Sequence, residues 1–192
     1  MRRACNQIFW GFLLILIDIR IDLLDIFPDL LGYLLLLTGL YQLKRLNVYF
    51  SIGYGSAWAL MIISFIQFFA GFDQQPVSSD PLYFSSPVNY GLSIVPLIVQ
   101  LVFGYGLCKG IEVHADTLKQ TELKRAARTR LRFYAAVYLM WMFILPFHLN
   151  VKGEIMQMLF FMFGIGILIC TLSVILLVRA AARLWDDKRG VF

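Results

Sequence analysis

Charge is scarce in this chain of 192 residues: Asp, Glu, Lys and Arg together make up 15% of it, against about a quarter in water-soluble domains. That shortage excludes an ordinary soluble fold. It excludes a disordered chain more firmly, because disorder needs high charge with low hydrophobicity. Cysteine is sparse as well. Cys5, Cys108 and Cys170 are odd in number, far apart and mostly inside apolar runs, so they offer neither a disulfide framework nor a metal-ligand spacing. There are only two histidines, with no H-E-x-x-H pair, glycine-rich phosphate loop or G-x-S-x-G elbow in the chain. Ser64, Ser93 and Ser173 sit in apolar runs without a His or Lys at helical spacing, so an intramembrane hydrolase lacks its base. No catalytic residue, metal or cofactor is expected.

What the chain has is apolar residues, at 60%, with 16% aromatics. They fall into six runs, at about 8–24, 28–43, 48–72, 91–109, 133–149 and 155–178. Continuous apolar character over this length suits helices, whereas membrane barrels need alternating strands of about ten residues. The first two runs reach only about 24–26 Å as helices, short for a hydrocarbon core of about 30 Å. The expected fold is therefore all-α, a single integral membrane bundle of six transmembrane helices in three hairpins. A basic cytoplasmic segment spans 111–132 and an outer loop spans 73–90.

Orientation follows from the cations. With both termini in the cytoplasm, Arg2, Arg3, Lys44, Arg45, the cluster before the fifth span, Arg179, Arg183, Lys188 and Arg189 all lie inside. Only Arg20 and Lys152 fall outside, as the positive-inside rule requires.

Within the spans, Gly53 with Ala57, Gly55 with Ala59, Gly106 with Gly110, and Gly166 with Cys170 are four apart. Small residues at that spacing let helices approach closely, here within one chain or at a homodimer face. Pro96 and Pro146 fall inside the fourth and fifth spans, where a missing amide kinks a helix. His114 alternates with Glu112 and Asp116; these positions diverge on a helix and are expected to form a solvated charged face. The polar tail from Arg179 is expected to lie along the membrane surface.

The densest polar segment is Asp18-Ile-Arg20-Ile-Asp22-Leu-Leu-Asp25-Ile-Phe-Pro28-Asp29. Pro28 breaks a continuous helix through it. A helix beginning after Asp25 makes Asp25 its N-cap, puts Pro28 in the first turn and sets Asp29 at the positive end of the dipole. Asp18, Arg20 and Asp22 are not explained in this way. Arg20 points about 200° away from both neighbouring acids on a helix, so it is expected to find a partner elsewhere, with Glu154 or Asp73 as candidates. Asp18, Arg20, Asp22, Asp25 and Asp29 form the candidate functional cluster, with an interfacial bend as the plainer use.

Asp25, Pro28, Asp29, Gly32 and Tyr33 spell D-x-x-P-D-x-x-G-Y between two apolar runs. With Phe9-Trp10-Gly11-Phe12 ahead of it, this opening resembles a group of uncharacterised small polytopic membrane proteins of Firmicutes. The resemblance covers about a fifth of the chain and implies a bacterial plasma membrane. It brings no activity with it.

Lys119, Lys124, Arg125, Arg128, Arg130 and Arg132 stand against Glu122 alone in 119–132. Beside a bilayer such a cluster attracts anionic lipid headgroups at about 1 kcal/mol per cation. Nucleic acid is not an expected partner, because no recognisable binding fold or aromatic platform accompanies the charge. Two functions follow from these residues. The first is a non-catalytic membrane partner or accessory subunit, acting on another protein or a second copy of itself. The alternative is a small-solute or ion transporter or channel that uses the charged first hairpin.

Overall fold

A computed structural model of the chain describes residues 1–16, 26–71, 87–146 and 153–187, with side chains described over 1–16, 30–66, 94–146 and 158–185. The described residues form six helices and no strand: α1 (Arg2–Leu16), α2 (Ile26–Leu43), α3 (Val48–Gly71), α4 (Pro87–Thr117), α5 (Thr121–Ile144) and α6 (Gly153–Asp187). Three of them hold stretches long and apolar enough to cross a membrane, at Val48–Ile66, Ile94–Thr117 and Met158–Trp185. The apolar part of α2, Leu30–Leu43, is shorter. The chain is thus built as a membrane protein.

Each helix packs on the next, and α6 packs back on α1, so the six close into a ring that a light α4–α6 contact narrows. Successive helices run antiparallel. Gly11 faces Gly32 and Gly39 faces Ala4 between α1 and α2, Gly53 faces Gly106 between α3 and α4, and Gly166 faces Val137 between α5 and α6. Lipid gives helices no hydrophobic reason to associate, so backbone approach supplies the packing. A Cβ on Gly11 would stand 2.7 Å from the Gly32 carbonyl oxygen, and one on Gly106 would stand 2.6 Å from the Gly53 amide nitrogen. By contrast Gly55, which the four-residue spacing pairs with Ala59, faces open space.

Every described Lys and Arg lies toward one end of the ring, the end that holds the start of α1 and the turns after α2 and α4. Helix boundaries at this end depart from the apolar runs. Residues 111–132, expected as a cytoplasmic segment between spans, are mostly helix: α4 continues to Thr117 and α5 starts at Thr121. Ile111 and Ala115 are buried, and Leu123 and Ala127 answer them from α5, so apolar positions four apart carry the packing past the last membrane-length run. The turn between them is a Schellman motif, in which the Gln120 N–H donates to the Ala115 carbonyl and the Lys119 N–H to that of Asp116. Lys119 occupies its left-handed position at φ 55°.

Two further expectations need correction. Pro146 does not kink the fifth helix but lies just beyond its end, after a cap in which the Leu145 N–H donates to the Trp141 carbonyl. A proline removes the amide that would extend the helix. The segment from Arg179 is not a surface tail either, because α6 runs through it to Asp187. Val178, Ala181, Ala182 and Trp185 are buried at helical spacing there, which holds that end against the bundle. Pro96 does lie inside α4, as expected.

Candidate functional site, an inner chamber and a charged rim

The centre of the ring holds a cavity of about 80 Å³ to which all six helices contribute. Its walls are Phe12 and Ile15 of α1, Tyr33 and Leu36 of α2, Leu60 of α3, Gln100, Phe103 and Gly104 of α4, Tyr134 and Tyr138 of α5, and Thr171 and Val174 of α6. A water occupies roughly 30 Å³ of liquid, so two or three would fill it.

The polar wall is made by α4 and α5. Tyr134 and Tyr138 are one turn apart and stack with ring centroids 4.4 Å apart. The Tyr134 hydroxyl donates to the Gln100 backbone carbonyl at 2.9 Å, and the Tyr138 hydroxyl to the Gln100 side-chain Oε1 at 3.0 Å. Gly104 makes room for this pair, since a Cβ on it would overlap the Tyr134 ring. The Gln100 Nε2 donates no hydrogen bond among the described residues. On the far wall the Thr171 hydroxyl donates back to the Ile167 carbonyl at 2.9 Å. Both tyrosine oxygens and the Thr171 oxygen therefore keep acceptor lone pairs, and the carboxamide keeps its donors. Among the described residues no Asp, Glu, Lys or Arg lines the cavity. Such a lining can hold water, a small neutral polar solute or one partly dehydrated ion.

The charged rim lies at the basic end. Glu112 is 3% exposed. Its Oε2 pairs with Lys109 at 2.9 Å, and its Oε1 accepts from both Nε and Nη2 of Arg128, at 2.9 and 2.7 Å. One turn on, Asp116 pairs with Lys124 at 2.8 Å. Acids four apart on α4 thus meet cations four apart on antiparallel α5, which locks the two stems. A carboxylate this buried is tolerable only because charged donors satisfy it. Asn47 adds a third tie: its Oδ1 caps α3 by accepting from the Phe50 N–H, while its Nδ2 donates to the Gly110 carbonyl of α4.

His114 does not sit on a solvated face. It is half-buried, edge-on to the Trp185 ring at 4.8 Å, and its Nε2, like the Trp185 Nε1, is buried without a partner among the described residues. The α4–α6 contact places it there. Arg130 also departs from the surface cluster. It shares the stripe of α5 that buries Leu123, Ala127 and Tyr134, and its Nη1 is buried without a hydrogen-bond partner among the described residues.

Of the first-hairpin cluster and its candidate partners, Asp18, Arg20, Asp22, Asp25 and Asp73 lie outside the described residues, and the side chains of Asp29 and Glu154 lie outside them too. The helix α2 does begin at Ile26, directly after Asp25. The D-x-x-P-D-x-x-G-Y motif ends inside the described region, where Gly32 meets Gly11 and Tyr33 lines the cavity. Among the described residues no group of three or more His, Cys, Asp or Glu could hold a metal, and all three cysteines are free and buried.

Sequence reasoning missed the chamber. The signal was present, because Gln100 is the lone carboxamide of the fourth apolar run and Tyr134 and Tyr138 stand one turn apart in the fifth. Comparison with protein-family models, curated proteins and solved structures finds no match.

Proposed function

We propose that the chain is a multi-pass protein of a bacterial plasma membrane, with both termini in the cytoplasm, that binds a small polar solute or ion in its inner chamber and passes it across the bilayer. The observation that carries this reading is the convergence of all six helices on one cavity whose polar atoms come from Gln100, Tyr134, Tyr138 and Thr171. Gln100 and the two tyrosines tie α4 to α5, yet they also line the cavity with donor and acceptor positions to spare, which water or a polar solute can satisfy. The chamber also adjoins the charged hairpin in sequence, with Ile15 three residues before Asp18 and Tyr33 one turn after Asp29. In this reading the protein is no enzyme. The six-span threading, with the basic end inside, accords with the positive-inside rule, and the Firmicutes resemblance with the bacterial setting.

The test is flux through reconstituted proteoliposomes. Entrapped pyranine reports protons, ion gradients report K⁺, Na⁺ and Cl⁻, and swelling reports urea and glycerol. At least one probe is expected to cross faster than through empty vesicles, and Gln100→Leu or Tyr138→Phe to cut that flux tenfold or more. No flux above empty vesicles for any probe, or a flux indifferent to both substitutions, would overturn the reading.

A second reading, a non-catalytic partner or accessory subunit, draws on one observation. Gly55 lies open on α3 beside the exposed Trp58 and Ile62, leaving a notch that another helix could enter. Light scattering of the detergent-solubilised protein, wild type against Gly55→Leu, separates a homodimer from a monomer.

A further inference from the structure

The six cations of 119–132 do not act as one cluster, because helical phase divides them. Lys124 and Arg128 are taken up by Asp116 and Glu112, and Arg130 turns inward. Arg125 and Arg132 are left exposed on the outer face of α5, two turns apart, with no ion pair among the described residues. Together with the half-exposed Arg128 they line a trough of about 380 Å³, which Thr121, Thr129 and the Asp116-paired Lys124 complete. At Arg132 this trough meets a second groove, of about 440 Å³, between α4 and α5. Its other walls are Leu101, Val102, Tyr105, Leu131 and Ala135. The order along α5 is basic and hydroxylic first, then wholly apolar deeper along the helix, with Arg132 at the junction.

We infer that this paired groove is a binding site for an anionic glycerophospholipid of the inner leaflet, with its phosphate on Arg125, Arg128 and Arg132 and one acyl chain along Leu101, Tyr105 and Leu131. Charge and polarity select the occupant. A soluble phosphate would use only the trough, and a neutral lipid only the apolar groove. A molecule with an anionic head joined to a hydrocarbon tail fits both across the single shared arginine. Arginine suits the head because its planar donors engage phosphate oxygens in pairs. The site lies on the outside of the ring and does not depend on the chamber being a transport site.

Native mass spectrometry of the detergent-purified protein tests the inference, with equal additions of phosphatidylglycerol and phosphatidylcholine. Each unpaired arginine is worth about fivefold in affinity for an anionic headgroup, so phosphatidylglycerol should be retained at least fivefold over phosphatidylcholine. The double substitution Arg125→Gln/Arg132→Gln breaks no ion pair of the described residues and should lower the ratio at least fivefold, with thermal stability in phosphatidylcholine unchanged. Arg45→Gln/Arg183→Gln removes the same charge from other exposed positions and should leave the preference intact. Val102→Trp fills the apolar groove and should lower lipid retention while the arginines stand. Equal retention of the two lipids by the wild type would overturn the site. So would the same loss in the Arg45/Arg183 control, or stabilisation by inorganic phosphate equal to that by phosphatidylglycerol.

Discussion

Alanine at Gly106 should force α3 and α4 apart, and the same change on the facing glycine should not. A Cβ at 106 would stand 2.6 Å from the Gly53 nitrogen and 2.9 Å from both the Gly53 Cα and the Tyr49 carbonyl oxygen. Non-bonded heavy atoms settle at about 3.5–4.0 Å, so the helices must separate by roughly 1 Å. The obstructing atoms are backbone, which leaves no side-chain rotation to relieve the clash. At Gly53 the added Cβ would meet the Gly106 carbonyl carbon and the Leu107 nitrogen at 3.6 Å, which is ordinary contact, and at Gly55 it would meet nothing within 4 Å.

Each substitution gains roughly 1 kcal/mol of helix propensity. Gly106→Ala also incurs an overpacking cost of about 1–3 kcal/mol or more, since backbone must move. The three buried thiols, Cys5, Cys108 and Cys170, supply the assay, because a thiol-reactive dye reports their exposure as the protein unfolds in detergent. At about 2–4 °C per kcal/mol for a chain of this size, Gly106→Ala should fall several degrees in Tm below Gly55→Ala, which carries the same propensity gain, and Gly53→Ala and Gly55→Ala should hold or raise Tm. If Gly53→Ala falls as far as Gly106→Ala, or if Gly106→Ala matches Gly55→Ala, the α3–α4 crossing is not the one described.

Lys119→Gly should raise Tm in the same assay, because a side chain at φ 55° costs about 1–2 kcal/mol that glycine avoids, whereas Lys119→Ala should bring no gain. Arg128→Gln should destabilise more than Glu112→Gln. The first strands a carboxylate 4% exposed on Lys109 alone, while the second frees cations that already reach water. A loss of about 1–2 kcal/mol is expected for Arg128→Gln, below the 3–5 kcal/mol of a fully buried pair because Arg128 is half-exposed. Strictly additive effects in the double variant would deny the pair.

Helix identity was legible in the sequence because each apolar run far exceeds a strand's length, and the start of α2 after Asp25 was legible from Pro28 and its neighbouring acids. Helix length was not. A reading that equates span with hydrophobic run stops α4 at Lys109, whereas α4 continues for two more turns because Glu112 and Asp116 find cations on α5 instead of water. A small-residue rule of four found Gly53, Gly106 and Gly110, but not the α1–α2 contacts. There Gly32 and Gly39 repeat at seven, two full turns, and the matching face on α1 is split between Ala4 and Gly11. The chamber stayed hidden for a different reason. Its polar atoms come from three helices, Gln100 on α4, Tyr134 and Tyr138 on α5 and Thr171 on α6, so no local window contains more than two of these residues.

The basic segment shows why composition misleads at a helix. Read as a list, its six cations form one patch with one purpose. At about 100° per residue, Arg130 falls within about 20° of Leu123 and turns into the bundle, while Arg125 and Arg132 stand close to the opposite direction and Lys124 and Arg128 lie between, toward the acids of α4. Inward, bridging and outward positions have different electrostatic surroundings, and therefore different chemistry, although only eight residues separate the five. The angular order follows from the sequence once the segment is known to be helical. That fact was concealed by the charges themselves, because a polar stretch beside a membrane run reads as a loop until the partners that satisfy it are in view.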